Sequence, residues 1–179
     1  SKKRHRQLPV VFLLNRNSSQ TDVSAAENRR RRWFTGAKHI KMRLAIPPKV
    51  SEILDILHSH GHEAYIVGGC VRDSVLARTP DDWDITTSAK PEEVKKLFRR
   101  TVDTGLQHGT VTVLLGDQSF EVTTYRLDGE YEDSRHPREV TFTSSLEEDL
   151  KRRDFTINAM AYNREEGLVD LFGGMSDLQ

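Results

Sequence analysis

Cysteine is almost absent from this sequence: Cys70 is the only one in 179 residues, so no disulfide can form within the chain. A lone thiol fits a reducing compartment. Long apolar runs are missing as well. The stretch "LPVVFLL", residues 8–14, falls far short of the roughly 18–20 apolar residues that cross a bilayer as a helix. Internal repeats are absent, which removes solenoids and arrays. An excess of either charge is also absent, with 27 Lys and Arg against 27 Asp and Glu. That balance hides a split. Residues 1–41 carry 11 basic and 2 acidic side chains, and residues 42–179 carry 16 and 25. A basic extension on an acidic domain follows. With 36% hydrophobic and 30% charged residues, the acidic part has enough apolar material for one globular core.

Residues 1–41 show little periodicity and read as a basic, disordered extension. Their Arg-rich, acid-poor composition suits an organellar leader or a nucleic-acid-binding tail. The plainer reading starts the ordered protein at Met42, giving a domain over 42–179 in the cytoplasm. From Pro47 the pattern sharpens. "PPKVSEILDILHSHG" places Val50, Ile53, Leu54 and Leu57 at helical spacing before Gly61. "EAYIV" reads as a strand running into the glycine pair that opens a helix, "GGCVRDSVLA". "DWDITTS" alternates as a strand, and "PEEVKKLFRR" is a helix with Pro91 in its first turn. "TVTVLL" and "FEVTTYR" are strands joined by the turn "GDQS". A polar loop spans residues 127–144. Residues 144–163, "SSLEEDLKRRDFTINAMAYN", read as one helix with Ser145 and Glu148 as a capping box.

Three groups of residues could carry chemistry. In "TPDDWDITTS", strand alternation sends Asp82 and Asp84 to one face and Asp81 and Trp83 to the other. Two carboxylates on one face suit a hard cation such as Mg²⁺. Alone, such a pair is as well explained by a solvated turn. Upstream, Gly68 and Gly69 sit at a strand-to-helix junction with Arg72 one turn on, an arrangement able to hold phosphate. An ordinary tight turn with a surface arginine is the alternative. In "SFEVTTYR", Glu121 shares a face with Thr123 and Tyr125, opposite Phe120 and Val122. It is either a third carboxylate for the same cation or an edge-strand glutamate facing water. Arg152 and Arg153 diverge by about 100° on a helix, so one can face a ligand and the other the solvent.

The ordered set "GGCVRDSVLARTPDDWDITTSAKPEEV", "HGTVTV", "EVTTYR", "RRDFTINAM" and "DLFGGMSDL" closely resembles the head of class II tRNA nucleotidyltransferases. These are the CCA-adding enzymes and poly(A) polymerases of the polymerase-beta-like superfamily. The resemblance covers about residues 45–179. It implies an α/β (α+β) head, a mixed sheet flanked by helices, acting with Mg²⁺ on CTP and ATP at the 3′ end of tRNA. It implies that Asp82 and Asp84 hold metal, that Gly69 and Arg72 contact the nucleotide phosphates, and that Arg153 with Asp154 meets the nucleotide and its ribose. Glu121 is read beside the metal pair as catalytic, and Gly68 and Asn158 are read with the nucleotide contacts. Residues 128–142 resemble the family's flexible loop, associated with the switch to adding A. Two positions depart from the pattern: Ala77 replaces a glycine often found before the metal aspartates, and Leu171 replaces a proline after Asp170. The family's E-D-x-x-R nucleotide-selecting motif and its RNA-binding body are missing, so the chain reads as a catalytic head. A poly(A) polymerase, a small-molecule nucleotidyltransferase and a non-catalytic nucleotide-binding module remain as alternatives.

Overall fold

The computed structural model describes residues 38–127 and 140–179. Most of the expected basic extension, and residues 128–139 of the expected loop, lie outside the described residues. Strand β1 (Lys38–Ile40) is followed by helix α1 (Pro48–Ser59). Pro48 opens α1 where an N–H would have no helical partner, and Val50, Ile53, Leu54 and Leu57 form the buried stripe that the spacing predicts. Strand β2 (Ala64–Val67) leads into the short helix α2 (Gly69–Val75). Next come β3 (Asp84–Thr87) and α3 (Pro91–Leu97), where the Lys90 N–H donates to Glu93 at 2.8 Å. Strands β4 (Thr101–Gly105), β5 (Thr110–Leu115) and β6 (Gln118–Thr124) form an antiparallel meander, with Leu115 opposite Gln118 at the expected hairpin. Strands β7 (Arg126–Leu127) and β8 (Thr141–Phe142) pair with each other. Helix α4 (Leu146–Lys151), strands β9 (Met160–Asn163) and β10 (Gly167–Asp170), and helix α5 (Gly174–Asp177) complete the order.

Eight strands make one sheet in the order β1-β10-β9-β2-β3-β6-β5-β4. All neighbours run antiparallel except β3 and β6, which are parallel. The fold is the expected α/β class, a mixed sheet flanked by helices, and mostly antiparallel. Its centre is buried on both faces. From β2, Ala64 and Ile66 join Val50, Ile53, Leu57, Val71 and Val94 on the side of α1, α2 and α3. Tyr65 and Val67 alternate to the other side, against Leu146 and Leu150 of α4. Period-two alternation therefore builds three layers, helix–sheet–helix, from one strand sequence.

Three expectations about secondary structure fail, the first being the loop over residues 127–144, where Leu127 and Thr141–Phe142 are paired strand residues. The single helix over residues 144–163 is three elements: α4 ends at Lys151, a 3₁₀ turn covers Thr156–Asn158, and β9 takes Met160–Asn163. Ser145 does cap α4, accepting from the Glu148 N–H at 3.3 Å. Met160 and Tyr162 face one core while Ala159 and Ala161 face the other, so pairing between β10 and β2 overrides a locally helical composition. The sheet also reaches into the segment assigned to the extension, since Lys38, His39 and Ile40 pair with Asp170, Val169 and Leu168. Three residues without a periodic pattern carry too little signal to read as a strand.

Two backbone positions generate predictions. Gly167 has φ +73°, and a Cβ there would stand 2.6 Å from the Ile40 carbonyl oxygen, where β1 docks on β10. Gly167→Ala is expected to lower stability by about 1–3 kcal/mol in urea unfolding, since both φ and a backbone contact are violated. Ala77, which stands where the resembling family often has glycine, is the one non-glycine among the described residues at positive φ, +55°. Ala77→Gly is expected to raise stability by about 0.5–1 kcal/mol in the same measurement, the left-handed penalty less the entropy glycine loses.

Candidate functional site

The site is built where β2, β3 and β6 lie side by side. Val67, the last residue of β2, pairs with Asp84, and Asp84 pairs with Glu121 on the parallel strand β6. The sharp turn at Gly68 (φ +82°) follows directly, next to the Asp84 carboxylate. Asp84 faces the α4 side of the sheet, since Ile85 joins the opposite core. Glu121 is on the same face as Asp84, because Phe120 and Val122 are buried in the α1 side core. The alternation expected for β6 therefore holds.

Asp82 and Trp83 precede the paired part of β3, so sheet pairing does not enforce their alternation. Trp83 packs on the core, and Asp82 is close enough for its charge to act on Asp84. Asp81, Asp82, Asp84 and Glu121 line one cavity of about 630 Å³. Asp81 is thus less separated than alternation implies, although it is not among the charges acting on Asp84. Among the described residues, no three His, Cys, Asp or Glu side chains form a ready-made cage for a metal ion. Asp82 and Asp84 are an open pair, with Glu121 one strand away.

Two guanidinium groups lie at the glycine turn, and the charge of one, Arg153, acts on Asp84. A Cβ on Gly69 would be 3.2 Å from Arg72 Nη2, and one on Gly68 would be 3.5 Å from Arg153 Nη1. Both cations therefore lie over the glycine turn. Arg72 is held by donating Nη1–H to Asn158 Oδ1 at 2.9 Å and Nε–H to Asp73 at 3.1 Å. Asn158, expected at the nucleotide, is joined to the site through Arg72. Arg153 is paired with Asp149 at 3.6 Å. Arg152 does not point to solvent as expected, because its Nε–H donates to the same carboxylate at 3.3 Å. Asp154 is exposed beside Phe155, and among the described residues no hydrogen bond or ion pair links it to the others.

The acids and bases perturb one another. Partial burial, then the neighbouring charge of Glu121, raises the Asp84 carboxyl above the usual aspartate range; Arg153 opposes this and Asp82 adds to it. Burial lowers the Arg153 guanidinium from its ordinary value, with Asp149 and Asp84 pulling the other way. Burial also pushes the Cys70 thiol up to about 11, so the lone cysteine behind the turn is not a nucleophile. The residues missed by sequence reasoning are Thr86 and Asp149. A signal was available for the second: Asp149 lies between Leu146 and Leu150, on the inward face of its helix.

A raised Asp84 carboxyl binds its proton more tightly in the folded than in the unfolded chain. Without added cation, stability contributed here is present below the ordinary aspartate range and lost as pH rises through the raised value. Asp84→Asn is therefore expected to melt higher than the unmutated chain at pH 7 in chelator, with the advantage shrinking toward pH 4. A lower melting temperature at pH 7 would contradict the electrostatic account.

The geometry agrees with what comparisons find. The chain is 58% identical over 127 residues to a CCA-adding enzyme of Lactobacillus delbrueckii subsp. bulgaricus, covering 71% of this chain and 32% of that one. It is 55% identical over 130 residues to the CCA-adding enzyme of Bacillus subtilis, covering 73% and 33%. Among solved structures, the Bacillus stearothermophilus CCA-adding enzyme in complex with CTP superposes with a TM-score of 0.66 at 45% identity, over 74% of this chain and 32% of that one. A tRNA nucleotidyltransferase complexed with a primer tRNA and an incoming ATP analog gives 0.54 at 37% identity, over 70% and 36%. The chain thus spans about a third of the length of the relatives it matches. Residues 64–179 match the family described as the poly A polymerase head domain, and the chain belongs to that family.

Proposed function

We propose that this chain is the catalytic head of a metal-dependent RNA nucleotidyltransferase that adds CMP and AMP, from CTP and ATP, to the 3′ end of tRNA. The observation that carries this reading is the gathering of opposite charges where β2 ends: the Asp84 carboxyl feels Glu121 and Asp82 and also the Arg153 guanidinium, which lies against Gly68, with Arg72 against Gly69. The kinship with CCA-adding enzymes, and with structures holding CTP or a primer tRNA, supports the same substrates.

The donor set fits Mg²⁺. An open carboxylate pair leaves coordination positions for phosphate oxygens and water, and like charge around Asp84 is what a dication would relieve. Asp82 and Asp84 would hold Mg²⁺, which when bound would supply charge neutralisation at the phosphates and lower the pKa of a coordinated hydroxyl. The protein's own residues do the rest. Gly68 and Gly69, without side chains, let the two guanidinium groups lie directly against the turn, where a triphosphate would meet them. Arg72 and Arg153 bind its oxygens and hold the α-phosphorus toward the carboxylates, Arg72 kept in place by Asn158. Glu121 strengthens the negative pole and is available as a third oxygen ligand. Asp154, exposed at the rim, is assigned to the ribose by resemblance. The terminal 3′-hydroxyl of the RNA attacks the α-phosphorus, its proton is lost, and pyrophosphate leaves. Positioning and charge neutralisation carry such a reaction, so no protein nucleophile is needed.

The family's description also favours a second reading, a poly(A) polymerase that adds A alone. Both are tested by incubating the chain, and a form carrying the further length of its relatives, with Mg²⁺, labelled CTP or ATP, and tRNA lacking its CCA end. Incorporation of both nucleotides is expected. Incorporation of A alone on any RNA favours the second reading, and nucleotide binding without incorporation by either form favours a binding module. Asp82→Ala is expected to lower incorporation at least roughly hundredfold, the scale of losing a group that stabilises developing charge. Asp81→Ala is expected to keep most of it. Equal losses would remove the distinction between the two aspartates.

A further inference from the structure

Asp149 is a fully buried carboxylate. Burying a charge is costly, and an apolar side chain of similar size would hold α4 against the sheet at lower cost. What the charge adds is visible in its partners. Oδ1 accepts from the Arg126 backbone N–H at 3.1 Å and from Arg152 Nε–H at 3.3 Å. Oδ2 accepts from Thr86 Oγ1–H at 3.0 Å and faces Arg153 Nη2 at 3.6 Å. One oxygen thus joins two parts of the candidate site. Thr86 is two residues beyond Asp84 on β3 and on the same face, and Arg153 is the cation over Gly68. Arg153 Nε is buried and makes no hydrogen bond, so among the described residues the loose pairing with Asp149 is the contact that orients its guanidinium. That pairing uses Nη2 and leaves Nη1 directed at the turn.

We propose that Asp149 is a positioning residue for nucleotide binding, fixing Arg153 over Gly68 in register with Asp84 by sharing one carboxylate oxygen between Arg153 and Thr86. This rests on the nucleotidyltransferase reading above. Asp149 touches no nucleotide; its effect passes through Arg153. A purely structural Asp149 would alter stability and leave no specific coupling to Arg153.

The test is a double-mutant cycle read by CTP binding to the chain in the presence of Mg²⁺, with circular dichroism and thermal melting to confirm folding. Asp149→Asn keeps the shape of the side chain and removes its charge. It is expected to weaken CTP binding by about tenfold, the scale of a lost charge-assisted contact. In an Arg153→Ala background the same change is expected to have almost no further effect. Equal weakening in both backgrounds, or no weakening in either, overturns the proposal. Should Asp149→Asn fail to fold, Thr86→Val keeps the charge and removes one donor that fixes it. Thr86→Val is expected to weaken binding in the unmutated background and not with Arg153→Ala, and the same loss in both again overturns the proposal. A folded, unmutated chain that binds no CTP removes the underlying reading and the proposal together, whereas normal binding with an indifferent Asp149→Asn removes only the positioning role.

Discussion

One parallel strand pair in an otherwise antiparallel sheet sets the character of this protein. β3 lies between β2, which runs against it, and β6, which runs with it. That register puts Asp84 beside Glu121 on one side and beside the exit of β2 on the other. Two carboxylates are thereby forced together at the mouth of a cavity, with a third, Asp82, just before the strand. Partial burial, and then the like charge of Glu121, disfavours ionisation of Asp84, and its raised carboxyl is the result.

The opposite pole depends on the same arrangement. Gly68 has to turn immediately after Val67, and only a residue without a Cβ takes that conformation without strain. The turn brings the backbone under two arginines, each tethered from behind by a different partner: Asn158 for Arg72, Asp149 for Arg153. Neither tether uses up its guanidinium. Among the described residues neither arginine forms an ion pair with Asp82, Asp84 or Glu121, as the proposed binding of a triphosphate requires.

Much of this was legible from local pattern. The stripe Val50, Ile53, Leu54 and Leu57 announced α1, the turn "GDQS" announced the β5–β6 hairpin, and alternation assigned Glu121 and Phe120 to opposite faces of β6. What local pattern misread was the stretch after α4. "INAMAYN" contains good helix formers, and nothing in its own sequence announces that β10 and β2 will claim it as a central strand. The role of Asp149 was hidden for a related reason. In the sequence it is one acid in "EEDL", set apart from Glu147 and Glu148 only by its helical spacing from Leu146 and Leu150, and burial confirms the difference.

Residue types and their short spacings, which depend on nothing far away in the chain, were enough to place the chain in its family and to suggest a chemistry: a carboxylate pair, a glycine turn and nearby arginines, in that order. The tertiary structure decided which of these groups meet. Asp84 reaches Glu121 across 37 positions of sequence and Arg72 reaches Asn158 across 86, and such distances are closed by strand pairing and core burial. Those forces act over the whole sheet at once, so no window of residues contains them. For the same reason, the placing of Arg152 and Arg153 depends on a buried carboxylate three and four residues earlier, whose burial is itself a property of the assembled fold.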